Sequence, residues 1–143
     1  MLALQGDFAE HIEMLSKFEV DVHKIKNKSQ LEKLDGLIIP GGESTTIKKL
    51  IDRYDFENPI KEKINHGMSL WGTCAGLICI ADKLRENYPT PMSIIDVEVS
   101  RNWFGRQVDS FETNINFKGI EEKIKAVFIR APIVTKVKNN VEI

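Results

Sequence analysis

The 143-residue sequence predicts one doubly wound α/β domain, a mostly parallel sheet in three layers with helices on both faces. Three observations carry that expectation. Short apolar runs alternate with helical patterns from the first residue onward. Two of the runs end in glycine-rich turns that lead straight into helix starts, the arrangement of strand–turn–helix units. No repeat, linker or low-complexity stretch divides the chain. A chain of this length buries roughly two thirds of its unfolded surface, so residues 1–143 read as a single domain that needs no metal or disulfide staple.

The elements follow in order. Leu2–Leu4 is a short apolar strand closed by Gly6. Asp7 can cap a helix on which Phe8, Ile12, Leu15 and Phe18 recur at helical spacing. Val20–Ile25 is β-rich, and Asp35-Gly36 opens the strand Leu37–Ile39, which Pro40-Gly41-Gly42 ends abruptly. Ser44, Thr45 and Thr46 supply cap residues for a helix through Ile47, Leu50 and Ile51. Asn58-Pro59 starts another, with Ile60 and Ile64 on one face and Gly67 as its stop. Ser69–Trp71 is a brief strand, and Ala75–Leu84 reads as one apolar helix. Beyond Pro91 come strands at Ile94–Val99, Glu112–Phe117 and Ala126–Ile129, with a short helical turn near Ile120–Ile124. The first strand starts with almost no lead-in, and the chain stops at Val141-Glu142-Ile143 inside an apolar pattern. The domain is therefore expected to be incomplete at its C-terminus and shortened in its opening strand.

Charge and composition exclude several functions. Lys and Arg number 20 against 21 Asp and Glu, a net charge of −1, which leaves no electrostatic footprint for nucleic acid or an anionic membrane. The longest apolar run, near Leu77–Ala81, is far short of the roughly 18 residues of a membrane span. The N-terminus lacks the basic region and long apolar core of a signal peptide, so a cytoplasmic location is expected. Cys74 and Cys79 sit close together in one apolar stretch and suggest no disulfide framework. His11, His23 and His66 are scattered and show no metal spacing with the cysteines, and no cofactor is implied.

The sharpest chemical signal is Gly72-Thr73-Cys74-Ala75-Gly76, between a strand pattern and a helix pattern. It has the shape of a nucleophile elbow with cysteine as nucleophile. Glycines on both sides permit a tight turn and close approach of neighbouring elements, and a helix N-terminus below the thiol favours the thiolate. Flanking glycines arise by chance at roughly 0.5% per cysteine, which favours a nucleophile over a plain buried cysteine at Cys74. Cys79, on the apolar face that follows, reads as an inert core residue. The second signal, Pro40 to Thr46, exposes backbone N–H groups at a second helix start, suited to an oxyanion or a carboxylate. Alone it would be an ordinary turn with a Ser or Thr cap. Paired with the elbow at the same sheet edge, it marks a site.

Several segments together resemble the glutaminase subunits of pyridoxal 5′-phosphate synthase. They are Leu2 to Gly6, Pro40 to Thr46, Gly72 to Ile78, Arg101 to Gln107, Ser110 to Glu112 and Phe128 to Pro132. These subunits are class I, triad-type glutamine amidotransferases with a flavodoxin-like sheet. The resemblance runs in order from residue 2 to about 132. It implies that Cys74 attacks the side-chain amide of L-glutamine, releasing ammonia and leaving a γ-glutamyl thioester for water. It implies that the backbone N–H groups of Gly42 and Ala75 hold the oxyanion. Gly42, Glu43, Ser44, Arg101, Ile129 and Arg130 match glutamine-binding positions, and an arginine fork suits the α-carboxylate. Gln5 matches a position near the oxyanion hole that the family links to activation by its partner. That implied partner is the synthase (lyase) subunit, which receives the ammonia. Without the resemblance, Arg101 and Arg106 would read as surface loop arginines.

A cysteine amidotransferase also needs a base for the thiol and a group to orient it. In the family both come from a His-Pro-Glu segment, and these 143 residues contain none. Negligible hydrolysis by these residues alone is the resulting expectation. Two other readings compete: a non-catalytic binding subunit of the same complex, and another cysteine α/β enzyme with a related elbow and no arginine clamp.

Overall fold

In a computed structural model, which describes residues 1–103, 111–128 and 132–143, the first half of the chain builds a parallel sheet. After helix α1 (Phe8–Leu15) comes strand β1 (Gly36–Ile39), then helices α2 (Ser44–Arg53) and α3 (Glu57–Asn65), strand β2 (Ser69–Gly72) and helix α4 (Ala75–Ile80). β1 and β2 run parallel, with Leu37 opposite Leu70 and Ile39 opposite Gly72. On the other side of β1 the Leu2 N–H donates to the Ile38 carbonyl at 2.9 Å, and Leu2 forms a parallel bridge with Ile25. The expected strands at Leu2–Leu4 and Val20–Ile25 shrink to this one bridge. Val20 is 54% exposed, so little apolar burial rewards a longer ladder there.

Alternation along β1 sorts the layers. Leu37 and Ile39 point into the main core, where Ile47 and Ile51 of α2, Ile60 of α3, and Ala75 and Cys79 of α4 meet them. Ile38 points the other way, toward α1, and lines a groove of about 590 Å³ with Leu15 and Trp71. Side chains of α1 are nowhere fully buried. Gly67, at φ +98°, ends α3 as its sequence position suggested.

The second half departs further from expectation. The apolar helix expected over Ala75–Leu84 stops at Ile80 and becomes strand β3 (Ala81–Leu84). The carbonyls of Cys79, Ile80 and Ala81 accept the N–H groups of Met92, Ile94 and Ser93, so tertiary pairing takes the acceptors that a continuing helix would use. β3 pairs in parallel with β4 (Ile95–Ser100). Strands β5 (Phe111–Phe117) and β6 (Ile120–Phe128) form an antiparallel hairpin, and β7 (Ile133–Val137) adds antiparallel to β4. The expected helical turn at Ile120–Ile124 is thus the start of β6. A spacing of four fits both periods, and here Ile120 and Ile124 share the hairpin face with Phe117 and Ile115. The strand β7 was not foreseen. A smaller core of Ile78, Ala81, Val97 and Val99 joins α4 to this sheet. Among the described residues, no helix is long and apolar enough to cross a membrane.

Candidate functional site

The two glycine-rich turns leave the sheet side by side, because Ile39 and Gly72 are opposite each other at the carboxyl ends of β1 and β2. The Thr73 N–H donates to the Ile39 carbonyl at 3.0 Å and fixes the start of the elbow. Cys74 then adopts φ 49°, ψ −105°, a left-handed conformation that non-glycine residues rarely take, and its thiol is exposed. The flanking glycines are required by contact. A Cβ on Gly72 would stand 2.6 Å from the Gly76 carbonyl carbon, and one on Gly76 would stand 2.1 Å from the Ile39 oxygen. A nucleophile on a strained turn at the carboxyl end of a parallel strand is the geometry of an elbow.

The glycine turn after β1 lies beside the elbow. A Cβ on Gly41 would be 3.4 Å from the Cys74 Cβ, so the turn after β1 lies beside the Cys74 side chain. The Ala75 N–H opens α4 and has no acceptor within that helix. Gly42 takes φ +145°, and its N-terminal neighbours pin the turn from outside. Gln5 Oε1 accepts the Glu43 N–H at 3.0 Å, and the Asp7 N–H donates to the Gly41 carbonyl at 3.1 Å. Asp7 occupies the cap position of α1 as expected but makes no side-chain cap bond. Its carboxylate faces Gly41 instead.

Glu43, not Ser44, Thr45 or Thr46, caps α2. Its carboxylate accepts the N–H groups of Thr45 and Thr46, at 3.0 and 2.7 Å, and the Thr46 hydroxyl at 2.7 Å. Desolvation pushes this carboxyl up, but the threonine hydrogen bonds outweigh it and hold the pKa at about 2. Ser44 is buried, and its carbonyl accepts the Cys79 thiol at 3.8 Å. Burial drives the Cys79 thiol up to about 12, so it stays a protonated core residue as expected.

Arg101 closes the far side. It follows directly on β4 with its side chain only 19% exposed, which corrects the surface-loop reading. Its guanidinium donates to the Thr45 hydroxyl at 3.3 Å and to the Tyr88 carbonyl, and lies 3.7 Å from the Glu43 carboxylate. Glu43 and Arg101, predicted 58 positions apart in sequence, thus meet at the start of α2. Ile129, Arg130 and Arg106 lie outside the described residues.

Of the histidines, His23 pairs with Asp21 on the surface and His66 contacts the Glu62 carbonyl. His11 is closer to the site than its sequence position suggested: its Nε2 lies 3.1 Å from the Thr73 hydroxyl and its ring meets Trp71 edge-on. Among the described residues no histidine hydrogen-bonds the Cys74 sulfur, and no group of three His, Cys, Asp or Glu could hold a metal.

With this geometry in place, the comparisons decide the family. The model of the SNO glutamine amidotransferase family matches residues 1–143. The chain belongs to this family. It is 49% identical over 143 residues to a protein of Niallia circulans named pyridoxal 5′-phosphate synthase subunit PdxT, covering 100% of this chain and 75% of the relative. A protein of the same name from Shouchella clausii is 47% identical over 143 residues, with 100% and 73% covered. A solved structure described as a glutamine amidotransferase superposes with TM-score 0.90 at 42% identity, covering 99% of this chain and 75% of that one. The doubly wound α/β architecture is therefore that of a glutamine amidotransferase.

The cap makes a prediction for the stability of this amidotransferase. Glu43→Gln is expected to destabilise it by about 1 kcal/mol at neutral pH. Because the folded-state pKa lies below the ordinary carboxylate value, the stabilisation is complete above about pH 4.5 and fades as pH falls toward 2. Thermal melts of the two proteins should therefore converge as the pH drops through that window.

Proposed function

We propose that residues 1–143 form one amidotransferase domain in which Cys74 attacks the side-chain amide of L-glutamine. The observation that carries this is the strained, exposed Cys74 held between Gly72 and Gly76 against the glycine turn of β1. The sulfur adds to the amide carbon, and the developing oxyanion falls to the N–H groups of Gly42 and Ala75. Collapse expels ammonia and leaves a γ-glutamyl thioester, which water hydrolyses to glutamate. Arg101 receives the α-carboxylate, with the Gly42–Ser44 segment, Ile129 and Arg130 completing the glutamine pocket. Glu43 shapes that pocket chiefly by starting α2, since its carboxylate is already engaged by Thr45 and Thr46.

Relatives that carry the name pyridoxal 5′-phosphate synthase subunit support a synthase subunit as the partner that takes the ammonia. The cytoplasm is the proposed location, from an N-terminus without signal-peptide character. The alternative of a binding subunit without glutaminase chemistry is not favoured. A strained cysteine beside a glycine turn that can serve as an oxyanion hole has no use in binding alone.

The test is glutamate formation and glutamine binding, measured with and without a synthase subunit, for the chain and for Cys74→Ala. Saturable glutamine binding is expected. Turnover by these 143 residues alone is expected to be negligible, since they carry no His-Pro-Glu segment and, among the described residues, no histidine bonded to the Cys74 sulfur. Failure to bind glutamine would overturn the assignment, and sustained Cys74-dependent ammonia release from the chain alone would overturn the need for that segment.

A further inference from the structure

The segment that follows β3 grips the end of β4 residue by residue. The Arg85 N–H donates to the Val99 carbonyl at 3.0 Å, and the Arg85 guanidinium sits 5.7 Å from the centre of the Trp103 ring. Between these anchors, one oxygen of Glu86 accepts both the Ser100 hydroxyl at 3.0 Å and the Arg101 backbone N–H at 2.9 Å. Two residues on, the Tyr88 carbonyl accepts from the Arg101 guanidinium. One short turn therefore fixes the backbone of Arg101 at its root and its side chain at its tip. The other face of the guanidinium meets Thr45 and Glu43 at the glycine turn.

Glu86 is built to stay ionised in this place. Burial pushes its carboxyl up, but hydrogen bonds from its own N–H, the Ser100 hydroxyl and the N–H groups of Arg101 and Asn102 outweigh that and hold it below its ordinary value. Its second oxygen and the Arg101 Nε–H are buried without partners among the described residues. An arginine carries five donors, and here two of its nitrogens are used on protein acceptors, which leaves donor capacity for an incoming carboxylate.

We propose that Glu86 is a positioning residue for glutamine recognition: by holding the Arg101 backbone, it aims the guanidinium at the α-carboxylate of the substrate. This rests on the assignment of Arg101 as the carboxylate clamp. The specificity of the pocket for a free α-carboxylate then depends on a residue that need not touch the substrate.

The experiment is calorimetric titration of the chain with L-glutamine and with L-glutaminamide, whose α-carboxylate is replaced by a neutral amide. Glu86→Ala is expected to weaken glutamine about tenfold, the size of one lost charge-assisted hydrogen bond, and glutaminamide less than about twofold. Arg101→Ala should weaken glutamine at least as much, and the double variant no more than Arg101→Ala alone. Glu86→Gln, which keeps a carbonyl oxygen for Ser100 and Arg101, should stay within about threefold of the unsubstituted chain. If Glu86→Ala does not fold, Glu86→Asp, which withdraws the oxygen by one methylene, carries the same expectation. Equal weakening of both ligands, or additive effects of the two substitutions, would make Glu86 a structural residue only and overturn the proposal. No glutamine binding by the unsubstituted chain would overturn the clamp assignment as well, so the two failures are distinguishable.

Discussion

Gly76→Ala is expected to cost about 3 kcal/mol or more of folding stability, a large share of the total for a domain of this size. The new methyl group would lie 2.1 Å from the Ile39 carbonyl oxygen and 2.8 Å from its carbon, with the Ile39 Cβ at 3.1 Å. None of these is the end of a flexible side chain. Ile39 is paired with Gly72 in the sheet, and its carbonyl already accepts the Thr73 N–H, so relief would require α4 to move off β1 or the elbow to open. Gly67→Ala provides the control. Unlike Gly76, which is helical, that glycine has positive φ, +98°, but its missing Cβ faces open space, and the substitution should cost only about 1 kcal/mol. Urea unfolding of the two variants separates the effects. Equal midpoints would contradict the close packing of elbow and sheet.

Cys74→Gly should move stability and reactivity in opposite directions. A non-glycine residue held at φ 49°, ψ −105° stores on the order of 1–3 kcal/mol of backbone strain, and glycine adopts that region freely. The variant should therefore unfold at higher denaturant, by about 1 kcal/mol once the added flexibility of the unfolded chain is discounted. The same change should remove essentially all thiol labelling of the folded protein by a small alkylating agent. Cys79 does not substitute for it, because its buried thiol, with a pKa of about 12, stays protonated from pH 7 to pH 9 and labels only on unfolding. A gain in stability with loss of reactivity is the mark of a residue kept strained for chemistry. A destabilised Cys74→Gly variant would mean that the elbow conformation carries no strain.

What the sequence made legible follows from how local each constraint is. Gly72 and Gly76 announced the elbow because nothing with a Cβ fits where they stand. The glycine turn after β1 and the stop at Gly67 were legible because Gly42 and Gly67 take positive φ, which glycine adopts freely. The first helix cap of the site was not, since glutamate is a poor cap by preference, and only the paired N–H groups of Thr45 and Thr46 show that Glu43 does the capping. Ile120 and Ile124 misled because a four-residue spacing is common to helix and strand. Helix Ala75–Leu84 was overextended because its later carbonyls bond to residues 92 to 94, a partner that no local pattern reveals. The contacts of Glu86 with Arg101 and of His11 with Thr73 span 15 and 62 positions, and residues so separated carry no mutual spacing signal.

The most direct test is an intact-mass measurement after exposure to an electrophilic analogue of L-glutamine, such as one bearing a diazoketone in place of the side-chain amide. A single adduct is expected, located on Cys74 by peptide mapping, slowed by free L-glutamine but not by L-glutamate amidated at its α-carboxylate. The same reagent should leave Cys74→Ala unmodified. An adduct spread over both cysteines, or labelling of Cys74 that L-glutamine does not slow, would contradict the claim that Cys74 sits in a glutamine-binding site.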